Sequence, residues 1–240
     1  MVEISNAEAS ANILRFAEEG RIVQGLWHGR QGHDGREIAC LLGAIHPSVT
    51  SAEECNGKLM PMWLAKLTPL LFDSIQAVEI VAVARRYGEL VARWGGLAPE
   101  AWERVKTAFL IRTVDEAMEA ARPVSKRKPY WPAVEAACNN TKSALESGDK
   151  KALKAARAAR AVEAAVWAVE AVEGAAAARA VWTAEEAAGA AEAEGAETEA
   201  VAVWTAAAEG AGAAVQAETE AVFCLRLFTF ILDRIEAECP

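Results

Sequence analysis

The sequence predicts an all-α protein, a multi-helix array of about ten helices with a degenerate alanine-rich helical repeat in its C-terminal half. Three observations carry this. Residues 161–220 hold 26 alanines and no proline, and glutamate or valine fills most other positions, so summed helix propensity is high. Within that tract one pattern returns three times, as Val166-Trp167 before Gly174, Val181-Trp182 before Gly189 and Val203-Trp204 before Gly210. Each reads as a helix whose Trp lies about two turns before a glycine C-cap. Finally, start and stop residues punctuate the remainder of the chain at helical lengths. A single helix over the tract would be about 90 Å long and leave its Trp faces uncovered, so the chain is expected to fold back at the glycines.

In chain order, Ser5 and Glu8 form a capping box with Ile4 positioned to staple, and Ala9, Ile13, Leu14, Phe16 and Ala17 make a stripe ending at Gly20. A helix over about Asn6 to Glu19 follows. Residues 25–36 hold four glycines and two histidines and read as a loop, entered through a short extended piece at Arg21 to Gln24. Asp34 and Glu37 make a second capping-box pattern, which predicts a helix over Glu37 to Ile45 that stops before Pro47. Ser51 and Glu54 seed a short helix that breaks at Asn56-Gly57.

Pro61 suits the first turn of a helix bearing Trp63, Leu64, Leu67, Leu70 and Leu71, with Pro69 expected to kink or shorten it. Ser74 is read as the N-cap of a long amphipathic helix from Ile75 through Val91, ended by Gly95-Gly96. Ala98-Pro99-Glu100 starts the next helix, whose expected buried members are Trp102, Val105, Phe109, Val114 and Met118, and which is expected to end before Pro123. Trp131-Pro132 opens a helix through Cys138 that ends near Gly148, and Asp149 caps the first alanine-rich helix. Phe223, Leu225, Leu227, Phe228, Phe230, Ile231, Leu232 and Ile235 mark a strongly apolar last helix. It is expected to pack under the alanine-rich helices or to form a self-association face.

The domain reading places an N-terminal helical region at 1–122, a basic linker flanked by prolines at 123–131 and the alanine-rich region at 132–240. The net charge of -9 is segregated. Residues 122–160 carry ten bases and three acids, net +7, whereas residues 161–240 carry three bases and fifteen acids, net -12. That acidic half argues against nucleic acid lying along it, because phosphate contacts need neutralising bases. No apolar run approaches the length of a membrane span. Five widely spaced cysteines fit reduced thiols, so a cytoplasmic protein without membrane attachment is expected.

Candidate sites are few. His28, His33 and His46 lie close in sequence to Asp34, Cys40 and Cys55, but His-x4-His followed by single distant cysteines matches no zinc spacing, so no metal and no cofactor are assigned. The glycine-rich loop offers two readings. With His28, Arg30, His33, Asp34 and Arg36 it supplies backbone amides and guanidinium forks for a small anion; alternatively it is a plain connector in which Asp34 caps a helix. Lys126, Arg127 and Lys128 beside Trp131 have the basic and aromatic mix of a nucleotide contact, or form a solvated linker. Trp167, Trp182 and Trp204 line a partner groove or supply core bulk that alanine lacks. No nucleophile motif and no converging carboxylate pair is present.

The run from Lys154 to Trp167 (KAARAARAVEAAVW) resembles the alanine-, tryptophan- and arginine-rich helical repeats of phage and bacterial proteins grouped under an immunity-protein heading. The stretches Asp34 to Ile45 (DGREIACLLGAI) and Met60 to Pro69 (MPMWLAKLTP) also resemble uncharacterised phage-type proteins. The resemblance implies an all-helical fold in a phage or bacterial setting and brings no catalytic residues. The expected function is a non-enzymatic interaction protein, acting by homo-oligomerisation or by binding a host or immunity partner. The alternative is a nucleotide- or phosphate-binding protein or enzyme that uses the 25–36 loop.

Overall fold

The computed structural model describes residues 4–31, 35–55, 59–127, 131–148 and 217–239. Among these lie six α-helices and one β-hairpin. The helices are α1 (Asn6–Glu18), α2 (Met62–Ser74), α3 (Ile80–Trp94), α4 (Pro99–Ser125), α5 (Trp131–Ser147) and α6 (Ala217–Glu238). The strands are β1 (His28–Gln31) and β2 (Arg36–Ala39), paired antiparallel. Short 3-10 turns occupy Gly43–Ile45, Ala52–Cys55 and Ala77–Glu79. The described residues are therefore mainly helical, but the expectation of an all-α array of about ten helices is corrected: six helices and a two-stranded sheet are described. The three expected alanine-rich helices and their Trp residues fall outside the described residues, as do Asp149 and the expected break at Asn56-Gly57.

Local signals act as their chemistry demands at several helix ends. Ser5 Oγ accepts the Glu8 N–H while Glu8 accepts the Ser5 N–H at 2.9 Å, a complete capping box. The α3 helix stops at Gly95, and Gly148, at φ +64°, follows the end of α5. Other signals are overridden. α2 runs through Pro69 to Ser74, and Ser74 closes that helix by donating its hydroxyl to Leu70 O at 3.0 Å instead of capping the next one. Gln24 Nε2 then donates to Phe72 O and Ile75 O at 2.7 and 2.9 Å. These bonds satisfy carbonyls at the α2 C-terminus and let α3 begin later than expected. α4 continues past Pro123 to Ser125.

The chain divides into two compact units, residues 1–105 with 224–240 and residues 106–223. In the first, α1 packs on α3 at Gly88, where a Cβ would stand 3.1 Å from Ile13 and Leu14 side chains. Asn6 and Asn12 tie α1 to the neighbouring backbone, donating to Val91 O at 3.0 Å and to Ile45 O at 2.9 Å. The centre of this core is Tyr87, whose ring meets Trp94 at 5.0 Å and Phe228 at 6.0 Å in edge-to-face contacts. Phe228 also meets Phe72 at 6.4 Å. Thus the apolar face of α6, with Leu227, Phe228, Ile231, Leu232 and Ile235 buried, is spent on the N-terminal helices. It is anchored at its rim by Arg86, which pairs with Asp233 at 2.5 Å and Glu236 at 2.8 Å, and by Arg104 with Glu238 at 2.5 Å.

In the second unit α4 and α5 form an antiparallel helical hairpin. Lys142 pairs with Asp115 at 2.7 Å and Arg122 with Glu135 at 3.4 Å, so partners run in opposite directions along the two helices. Phe109, Val114, Met118, Trp131, Cys138 and Leu145 are buried. Among the described residues no helix is long and apolar enough to cross a membrane.

Candidate functional site

The segment expected to be a helix over Glu37 to Ile45 is instead strand β2 followed by a 3-10 turn. The reason lies in partners far along the chain. Ala39 donates its N–H to Arg21 O at 3.1 Å and accepts from Val23 N at 2.9 Å, while Cys40 N donates to Leu26 O at 2.7 Å. With those groups taken laterally, the i to i−4 bonds of a helix cannot form there. The extended piece at Arg21 to Gln24 therefore flanks the hairpin, bridged through Ile22 and Ala39. Gly25 and Gly35 hold left-handed φ values of +71° and +62°, which suits the chain's entry to the hairpin and its tip.

The register sorts the candidate residues. His28 faces Ala39, Arg30 faces Glu37 and Gln31 faces Arg36. Directly paired residues share a face and successive residues alternate, so His28, Arg30 and Glu37 stand on one face and Arg36 on the other. Arg30 and Arg36 therefore do not close on one anion from a single hairpin face. His33 and Asp34 lie outside the described residues. An open cleft of about 510 Å³ is lined by His28, Gly29, Arg30, Gly35 and Glu37.

Each charged neighbour has a structural partner. Arg21 stacks its guanidinium on Phe16 at 3.9 Å, donates Nε to Glu37 O at 2.5 Å and pairs with Glu19 at 2.6 Å and Glu37 at 3.4 Å. His28 Nε2 lies 2.7 Å from Val49 O, so it carries the proton there. The other ring nitrogen, Nδ1, is buried without a hydrogen-bond partner among the described residues. His46 bonds Ser48 at 2.8 Å in an exposed turn. No three His, Cys, Asp or Glu side chains converge among the described residues.

Of the basic segment, Lys126 and Arg127 are exposed and Lys128 lies outside the described residues. Trp131 is 5% exposed, so it belongs to a core and presents no face on which a base could stack. A feature that sequence reading passed over is a groove of about 440 Å³ on α3, lined by Arg85, Arg86, Glu89, Leu90, Arg93 and Glu236 among others. Its signal was present as arginines three and four residues before Glu89 and four after it, but the Arg86 partners on α6, Asp233 and Glu236, are distant in sequence.

Cys40 and Cys55 are buried thiols. Burial, then the neighbouring Cys40, Glu54 and Glu53, push Cys55 up to about 12. Burial likewise raises Cys40, partly offset by the Gly43 N–H that donates to its sulfur at 3.3 Å, and it raises the Tyr87 phenol. A raised acid pKa means that the folded protein holds protons the unfolded chain would release above about pH 9. This contribution is complete below that pH and is lost as pH rises through the folded values. We expect the urea midpoint to fall between pH 9 and pH 12, and Cys55 to stay unmodified by iodoacetamide at pH 8 until the protein is unfolded. Rapid alkylation of native Cys55 at pH 8 is the contrary result. Compared with protein-family models, with curated proteins and with solved structures, the chain matches none.

Proposed function

We propose that this is a non-enzymatic interaction protein of phage or bacterial origin that works in the bacterial cytoplasm, by self-assembly or by binding a host partner. The observation that carries the reading is charge segregation: net +7 over residues 122–160 against net -12 over residues 161–240. Opposite blocks of this size attract across copies and set register and partner choice. Two further features support it. The Cys40 and Cys55 thiols and the Tyr87 phenol are buried, and burial favours their protonated forms, which suits packing at these three positions. The resemblance of residues 154–167 to immunity-type repeats supplies the phage or bacterial setting.

Light scattering coupled to size exclusion tests this reading. A mass above the 25.6 kDa monomer is expected at about 50 mM salt, and it should fall toward the monomer at about 1 M, where the screening length shrinks to about 3 Å. A strict monomer at every salt concentration, with no partner retained from bacterial lysate, overturns it.

A further inference from the structure

We propose that the outer edge of β1 docks an extended peptide of alternating acidic and apolar residues, which joins the hairpin as a third strand. The direction of the backbone groups follows from the register. Both main-chain groups of Ala39 point to Arg21 and Val23, away from β1, so His28–Ala39 is a non-hydrogen-bonded pair. Pairs alternate along an antiparallel ladder, which makes Gly29–Ile38 and Gln31–Arg36 the bonded pairs and Arg30–Glu37 non-bonded. Glu37 agrees, since its carbonyl turns outward to accept Arg21 Nε. On β1, therefore, His28 and Arg30 aim N–H and C=O outward, and no described backbone segment pairs with that edge. An unpaired edge of this kind is the template to which an extended chain adds.

The side chains along the edge define the occupant. Arg30 is exposed, and its cross-strand neighbour Glu37 is paired with Arg21. A carboxylate on the added strand opposite Arg30 would share its face. On the other face Gly29 has no side chain, and Leu26 lies over it: a Cβ at Gly29 would stand 2.5 Å from Leu26 Cδ2. Leu26 remains 42% exposed, so an apolar residue on that face of the peptide would cover it.

The proposal rests on the interaction reading, but it fails separately, because main-chain bonds are neutral and do not require the charge blocks that drive assembly. The probe is a hexapeptide of alternating glutamate and valine, blocked at both ends, followed by amide exchange in the full-length protein. In the free protein His28 and Arg30 amides should exchange fast while Gly29 and Gln31 are protected. Saturating peptide should protect His28 and Arg30, and its backbone N-methylated analogue should not bind. Arg30→Pro should weaken binding at least tenfold with the helical signal unchanged, since proline is tolerated where an edge N–H points outward. Arg30→Glu, which retains the N–H, should weaken it by a similar factor and serves if the proline variant fails to fold. Unprotected His28 and Arg30 amides at peptide saturation, or equal binding of the N-methylated peptide, would overturn the proposal.

Discussion

Replacing Phe228 by alanine is expected to destabilise the first unit by about 3–5 kcal/mol, a large part of the roughly 5–15 kcal/mol that holds a typical domain folded. Its side chain is fully buried and its ring contacts both Phe72 and Tyr87. Truncation removes apolar surface and leaves a cavity between α2, α3 and α6, three rigid elements that cannot all close on it. By contrast Val222→Ala, at a position 42% exposed on the same helix, should change stability by no more than about 0.5 kcal/mol. Urea unfolding of both variants checks the pair. A loss below about 1 kcal/mol for Phe228→Ala would mean that α6 is not part of the N-terminal core. The rim ion pairs of Arg86 and Arg104 should matter far less, because exposed pairs contribute about 0–1 kcal/mol each.

Gly43→Ala carries the second large effect, for a reason unrelated to glycine's flexibility. A Cβ at this position would lie 2.0 Å from the Trp27 carbonyl oxygen and 3.0 Å from its carbon. Both are backbone atoms, so no side-chain rotation relieves the overlap and the chain itself must move. Overpacking of this kind costs about 1–3 kcal/mol and more when the neighbour is rigid. Because Trp27 directly precedes β1, the displacement should reach the hairpin, loosening protection at the Gly29 and Gln31 amides along with global stability. Unchanged urea stability and unchanged exchange at those two amides would refute the close approach of Trp27 to Gly43.

Elements defined by contacts within a turn or two were legible in advance. The capping box at Ser5, the stop at Gly95-Gly96, the start at Pro99 and the helix running from Trp131 to the Gly148 turn each depend on neighbours a few residues away. The candidate site was legible in composition but not in geometry. The 25–36 loop and its arginines were identifiable, whereas their division between two faces required the register. The Asp34/Glu37 pattern misled for a physical reason: a capping box is a weak local preference, and residues 36–40 gain more by bonding laterally to Arg21, Val23 and Leu26.

By itself, then, the sequence determined that the described residues are mainly helical, where several of their helices start and stop, and that the chain's charge is strongly segregated. These are sums over local propensity and composition, which need no knowledge of distant partners. Tertiary structure alone decided that residues 36–39 are a strand, that α6 spends its apolar face on α2 and α3, and that Arg30 and Arg36 diverge. Those outcomes rest on partners separated by 16 residues at Arg21 and Glu37 and by 150 at Arg86 and Glu236. Backbone groups and apolar faces settle wherever burial and hydrogen bonding are best satisfied together, and over such separations the folded chain, not the local pattern, selects the partner.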